Sequence, residues 1–179
     1  GTKLVSVSGH VKKPGNYEIE MGTPTSELIY NLAGGIRNDN KLKAFIPGGS
    51  SVPMLPAGKV DTPYDYESLA AAGTMLGSGA LIVIDDSVNI VETTLRLISF
   101  YMHESCGKCT PCREGTRWLY QIVERIMQNK GQLEYIEKLE DICGNMSFKT
   151  FCPLADACVA PVVSSIQHFR SDYEEYFKN

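Results

Sequence analysis

Apolar and polar positions alternate over residues 4–9 and again over 16–20, on either side of Lys12-Lys13-Pro14-Gly15. Alternation puts every second side chain on one face of a strand, and Pro-Gly favours a turn, so this pattern predicts a β-hairpin. Thr23-Pro24-Thr25-Ser26-Glu27 predicts a helix start, with Thr23 as N-cap and Pro24 in the first helical position. The helix is expected to reach about Leu32 and to stop at Gly34-Gly35. A short strand is predicted at 43–47, a turn at 47–51, and a buried strand at 80–84 closed by Asp85-Asp86-Ser87. Residues 53–74, which carry Pro53, Pro56 and Pro63, are expected to be irregular. Two strands, a helix and further strands in a unit of this size predict a β-grasp arrangement for residues 1–88.

From residue 89 the period lengthens. Ile90, Val91, Leu95, Ile98 and Met102 fall on one helical face, and Trp118, Leu119, Ile122, Val123, Ile126 and Met127 on another. Asn129-Lys130-Gly131 is a stop signal after the second of these. Leu133, Ile136, Leu139 and Cys143 predict a third helix, broken near Gly144-Asn145. Ala155, Cys158, Val159, Val162, Val163 and Ile166 predict a fourth, in which Pro161 removes a backbone hydrogen bond and favours a kink. The expected fold class is therefore α+β, with a small β-grasp domain at 1–88 and a four-helix bundle at 89–179.

Composition narrows the function more than the fold. The 179 residues carry a formal net charge of -4, which argues against nucleic acid, whose binders need a basic stripe. The longest aliphatic run, Ala80-Leu81-Ile82-Val83-Ile84, is too short to cross a bilayer, and no charged stretch followed by an apolar run marks a signal peptide. The chain opens on Gly1, and Leu4-Val5-Ser6-Val7-Ser8-Gly9 already reads as a strand. This start predicts a piece of a longer polypeptide, or a chain that has lost a leader. Gly34-Gly35 and Gly48-Gly49-Ser50-Ser51 lack the strand-to-helix G-x-G-x-x-G pattern and are read as turns, not phosphate loops.

All six cysteines lie after residue 105, at positions 106, 109, 112, 143, 152 and 158. Cys106-Gly107-Lys108-Cys109-Thr110-Pro111-Cys112 is C-x2-C-x2-C, the ferredoxin spacing that wraps three thiolates round one side of an iron–sulfur cubane. In the ferredoxin pattern another cysteine is followed by proline, as Cys152 is by Pro153. Cys143 and Cys158 share the apolar stripes of their helices and read as small core residues, whereas Cys152 falls between helices, where a side chain can reach a metal. Cys106, Cys109, Cys112 and Cys152 are thus the expected metal ligands. Disulfides this close in sequence would strain the loop. Zinc is the rival ion, although its sites usually pair two separated C-x2-C knuckles. Helices expected to start near Arg113 and Leu154 would aim positive ends at an anionic cluster, with Lys108 and Arg113 adding charge. Gly107 would let backbone amides approach sulfur. His103 is expected on a helix surface, and His10 and His168 are expected to be structural. With four protein thiolates no iron is left open to substrate, so the site reads as an electron carrier and supplies no catalytic residue.

The string Glu104-Ser105-Cys106-Gly107-Lys108-Cys109-Thr110-Pro111-Cys112-Arg113-Glu114-Gly115, with Thr150-Phe151-Cys152-Pro153-Leu154 and Phe169-Arg170, resembles the flavin-bearing, NADH-oxidising subunit of respiratory complex I. Val7-Ser8-Gly9-His10-Val11, Pro14-Gly15, Ile46-Pro47-Gly48-Gly49-Ser50-Ser51 and Met75-Leu76-Gly77-Ser78-Gly79 resemble that subunit's soluble-ligand-binding β-grasp domain. The resemblance covers nearly the whole chain and looks like the C-terminal part of the subunit. It implies Cys106, Cys109, Cys112 and Cys152 as ligands of a [4Fe–4S] cluster, with FMN and NADH held in an N-terminal part not present in this sequence. Implied partners are the small thioredoxin-like and large iron–sulfur subunits of the peripheral arm, with no nucleic acid and no direct membrane contact. The implied location is the cytoplasmic or mitochondrial-matrix face of an energy-transducing membrane. Cys158 departs from the family, where a small non-cysteine residue is expected. NAD-reducing hydrogenases and NAD-dependent formate dehydrogenases share the same strings, some with a further ferredoxin-like domain. The chain end at Tyr176-Phe177-Lys178-Asn179, without another C-x2-C run, favours complex I. The alternative from another class is a zinc-stapled interaction module with no redox role.

Overall fold

The computed structural model describes residues 1–178, and Asn179 lies outside the described residues. The chain forms two compact units, Gly1–Val88 and Asn89–Asn179.

The first unit is a five-stranded mixed sheet. Strands β1 (Thr2–Gly9) and β2 (Gly15–Glu20) form the expected antiparallel hairpin, with Val5 opposite Tyr17 and Val7 opposite Gly15. The alternation explains the register: Val5, Val7 and Ile19 are buried, while Leu4 and Ser6 face outward. β3 (Leu42–Ile46), β4 (Leu55–Pro56) and β5 (Ala80–Asp85) complete the sheet in the order β2-β1-β5-β3-β4. β5 runs parallel to β1 and antiparallel to β3. Parallel pairing of the first and last strands is the hallmark of a β-grasp, and only the fold reveals it. The core includes Leu28, Ile29, Phe45, Leu55, Tyr64, Leu69, Leu81 and Val83.

Two local expectations change. The first helical segment is π-helical over Glu27–Leu32 and does not start at Thr23. Thr23 Oγ1 instead donates to the Glu20 carbonyl (2.8 Å), and Pro24 bridges Pro63. The stretch at 53–74 is not irregular throughout: it holds β4, a 3-10 turn at Ala57–Lys59 and helix α1 (Tyr66–Ala71), capped by Asp65, whose carboxylate accepts from Ser68 N at 2.6 Å. Pro53 precedes β4, Pro56 ends that edge strand and Pro63 lies between the 3-10 turn and α1, positions that tolerate a missing N–H. The turn after β3 demands glycine, because a Cβ on Gly48 would lie 2.5 Å from the Met75 carbonyl oxygen.

The second unit is the expected helical one: α2 (Ile90–Glu104), α3 (Thr110–Met127), α4 (Glu134–Met146) and α5 (Leu154–Glu174). α2 packs on α3 and α5, and α4 packs on α3 and α5, which closes a four-helix bundle. Ile98, Leu119, Val123, Ile136, Leu139, Val162 and Ile166 are buried in it. Each such side chain contributes about 1.5–3 kcal/mol when withdrawn from water. The α3 stripe is narrower than its sequence suggests, since Trp118 is 53% exposed. α4 continues through Gly144 and Asn145 to Met146. α5 keeps helical backbone at Pro161 and departs from it at Phe169 (φ -136°, ψ 36°).

Candidate metal centre

The cysteine loop joins α2 to α3. Ser105 ends α2, its amide donating to the Tyr101 carbonyl at 3.0 Å. Cys106 is exposed. Cys109 is half-buried at the N-cap of α3, and Cys112 is buried in the first turn of that helix. α3 thus starts three residues before Arg113, and its uncapped N-terminus lies inside the cysteine motif. Pro111 occupies its first turn, where a missing N–H leaves no bond unmade. The remaining first-turn amides have no helical acceptor and favour an anion.

Contacts within the loop hold it closed. Gly107 adopts φ 78°, a left-handed backbone that glycine takes without a steric penalty. Its amide donates to Ser105 Oγ (3.4 Å), and its carbonyl accepts from Arg113 Nη1 (2.7 Å). Ser105 Oγ also lies 3.3 Å from Cys112 Sγ. Arg113 Nε pairs with Glu114 (2.8 Å), so the arginine staples the loop and part of its charge is answered locally. His103 contacts Glu104 at 3.0 Å on the helix surface, as expected.

Cys152 reaches the region from the connection between α4 and α5. It is exposed, two residues before α5, and its carbonyl accepts from Thr150 Oγ1 at 2.9 Å. The segment before it is pinned to α5, because the Phe148 amide donates to Asp156 Oδ1 (2.8 Å). Together the two segments line one cleft of about 390 Å³, with Lys108, Cys109, Thr110 and Pro111 on one side and Phe148, Lys149, Thr150 and Phe151 on the other. Residues some 40 positions apart in sequence therefore meet at one place. Among the described residues, no three His, Cys, Asp or Glu side chains converge closely enough to hold a single metal ion.

The other two cysteines are core residues. Cys143 and Cys158 are buried. Burial, with Glu140 nearby, pushes the Cys143 thiol up to about 12. Burial also pushes the Cys158 thiol well above its ordinary range, with Cys143 and Cys112 adding to the effect. Both pack among the apolar side chains of the helical unit, with Leu139, Val162 and Ile166 in the same core. Sequence reasoning assigned no part to Ser105. Its place between the end of α2 and the first cysteine was a signal, because a hydroxyl at a helix end is free to turn toward the next loop.

A family model described as the NADH-ubiquinone oxidoreductase-F iron-sulfur binding region matches residues 92–176, and an SLBB domain model matches residues 3–83. Over 176 residues the chain is 47% identical to the F subunit of NADH-quinone oxidoreductase from Streptomyces coelicolor, covering 98% of this chain and 39% of that protein. The chain belongs to the NADH-quinone oxidoreductase-F family. It matches the family's C-terminal part, an SLBB domain followed by an iron–sulfur binding region. The F subunit of the Mycobacterium tuberculosis oxidoreductase is 49% identical over 173 residues, covering 97% of this chain and 39% of that protein. That of Rickettsia felis is 46% identical over 179 residues, covering 99% and 42%. The chain thus spans about two fifths of the length of these curated relatives. Among solved structures, an NAD+-reducing [NiFe]-hydrogenase in the H2-reduced state matches with a TM-score of 0.87 and 28% identity, over 99% of this chain and 30% of that one. All six cysteines fall inside the matched iron–sulfur binding region.

Proposed function

We propose that Cys106, Cys109, Cys112 and Cys152 hold a [4Fe–4S] cluster through which the full-length oxidoreductase-F protein passes electrons from FMN to a neighbouring iron–sulfur subunit. The observation that carries this reading is the shared cleft, which sets the C-x2-C-x2-C loop against the segment leading into Cys152. The donor set fits. A single ion needs all ligands at one centre, whereas each thiolate of a cubane takes a different iron and stands further from its neighbours. The uncapped start of α3 and the Gly107 backbone favour the negative charge such a cluster brings. When bound, the cluster accepts and releases one electron at a time. The chain's residues orient it, shield Cys112 from water and leave no coordination position for a substrate. Residues 1–88 and 89–179 act as two domains, the first a cofactor-free docking unit. The partners are the small and large iron–sulfur subunits of complex I, at the cytoplasmic or matrix face of the membrane. No helix among the described residues is long and apolar enough to cross that membrane.

The likeness to an NAD+-reducing hydrogenase favours a second reading, the same module in such a hydrogenase. Identity of 47% to an NADH-quinone oxidoreductase against 28% to the hydrogenase supports the complex I reading. Anaerobic reconstitution with iron and sulfide tests the proposal. It should give a brown chain with about four iron atoms, and dithionite should induce an S = 1/2 electron paramagnetic resonance signal. NADH alone should leave it silent, because a hydride carries two electrons and needs a two-electron acceptor such as FMN. A colourless chain that takes up one zinc and no iron would sink the reading.

A further inference from the structure

We infer that Ser105 is a positioning residue for the cluster, its hydroxyl donating a hydrogen bond to the Cys112 thiolate and holding the cluster's potential up. The inference rests on the ligand assignment proposed above. Ser105 Oγ sits 3.3 Å from Cys112 Sγ and 3.4 Å from the Gly107 amide. Between a hydroxyl and a free thiol either group can donate. Once the sulfur is a metal-bound thiolate it has no proton to give, so the hydroxyl must be the donor. The Gly107 amide then meets a lone pair of the same oxygen. The chain Gly107 N–H to Ser105 O–H to Cys112 sulfur runs in one direction, and each bond polarises the next.

The arrangement has two consequences. Ser105 is fixed at the end of α2 and Cys112 in the first turn of α3, so the bond sets the distance between two rigid helices at the loop's base. A donor to sulfur also withdraws electron density from the iron and favours the reduced cluster. Cys112 is the buried member of the set, so water cannot replace a lost donor there. Neither Gly107 nor Arg113 can substitute: the glycine amide addresses the serine oxygen, and the arginine addresses the Gly107 carbonyl.

The test compares reconstituted parent chain with Ser105→Ala, Ser105→Thr and Thr116→Val. Iron per chain and a redox titration followed by the S = 1/2 signal are the readouts. Thr116 serves as control because its Oγ1 bonds the Cys112 carbonyl (2.8 Å) and not the sulfur. Ser105→Ala should lower the midpoint potential, or lose iron. Ser105→Thr, which keeps a hydroxyl, should restore the parent's behaviour, and Thr116→Val should leave the potential where it was. A filled cluster in Ser105→Ala with the parent's potential would overturn the inference while leaving the ligand assignment intact. So would a threonine variant that behaves like alanine. A parent chain that takes up no cluster would remove the ligand assignment and this inference together.

Discussion

At the scale of single residues, six cysteines divide by environment. Four lie on the loop at 106–112 or next to α5, and two are sealed in the bundle core. Replacing Cys152 by alanine should reduce iron per reconstituted chain sharply. Cys143→Ala and Cys158→Ala should leave iron unchanged and cost on the order of 1 kcal/mol, since each removes one small buried group. Iron analysis and thermal unfolding of the three variants check this, and loss of iron from Cys158→Ala alone would transfer the fourth ligand to the core. The buried thiols also set an alkaline limit. Cys143 titrates near 12 in the fold but lower when exposed, so its neutral form contributes stability below pH ~9 that is lost as pH rises toward 12. Helical phase predicted that Cys143 and Cys158 are core residues, and both are buried. It was silent on Ser105, whose contact depends on how α2 meets the cysteine loop.

At the scale of elements, the start of α3 and the end of α4 govern how the two cysteine segments meet. Gly115 in α3 is buried, and a Cβ there would lie 2.5 Å from Met146 Sδ and 2.6 Å from its Cγ. Met146 is the last residue of α4, two positions before Phe148. Gly115→Ala must displace the Met146 side chain, at the end of α4 that leads into the segment carrying Cys152. The expected cost is about 1–3 kcal/mol of overpacking, with slower cluster uptake. Met146→Ala in the same background should relieve the clash and recover uptake; failure to recover would place the defect elsewhere. Element existence was legible where a period repeated for several turns, as in all four helices. It was not legible at α1 and β4, six and two residues long, where the period is too short to rise above the prolines around it. Gly144-Asn145 did not break α4, because Ile136, Leu139 and Cys143 bury one face of that helix and outweigh the local propensity.

At the scale of the whole molecule, each unit has its own core, and each should respond to its own trigger. Asp85 is fully buried in the first unit. Burial raises its pKa, but hydrogen bonds from Ser87, Asn40 and His10 outweigh that and hold the carboxyl well below the usual range. The carboxylate therefore contributes stability above pH ~3.9 that is lost as pH falls below that value. Thermal scans should show two transitions. Acidification below pH ~4 should lower the one belonging to residues 1–88, and Asp85→Asn should lower it at neutral pH by about 1.5–3 kcal/mol. Cluster loading should raise the transition of residues 89–179 and leave the other in place, because ligand bound to one folded unit stabilises that unit. A single transition that moves with both treatments would contradict the independence of the two units.

The amino-acid sequence alone determined the fold class, the hairpin and the four helices, because each depends on spacing along a chain, a period of two or a period near 3.6; the C-x2-C-x2-C spacing likewise singled out the loop thiols proposed for metal. Only the tertiary structure decided the parallel pairing of β1 with β5, the burial of Asp85 among residues from 10 to 87, and the meeting of the 106–112 loop with residues 148–151. Those contacts join positions tens of residues apart. Nothing local specifies them; they follow from burying the apolar faces of all the elements of a unit at once, and the site's geometry is a consequence of that packing.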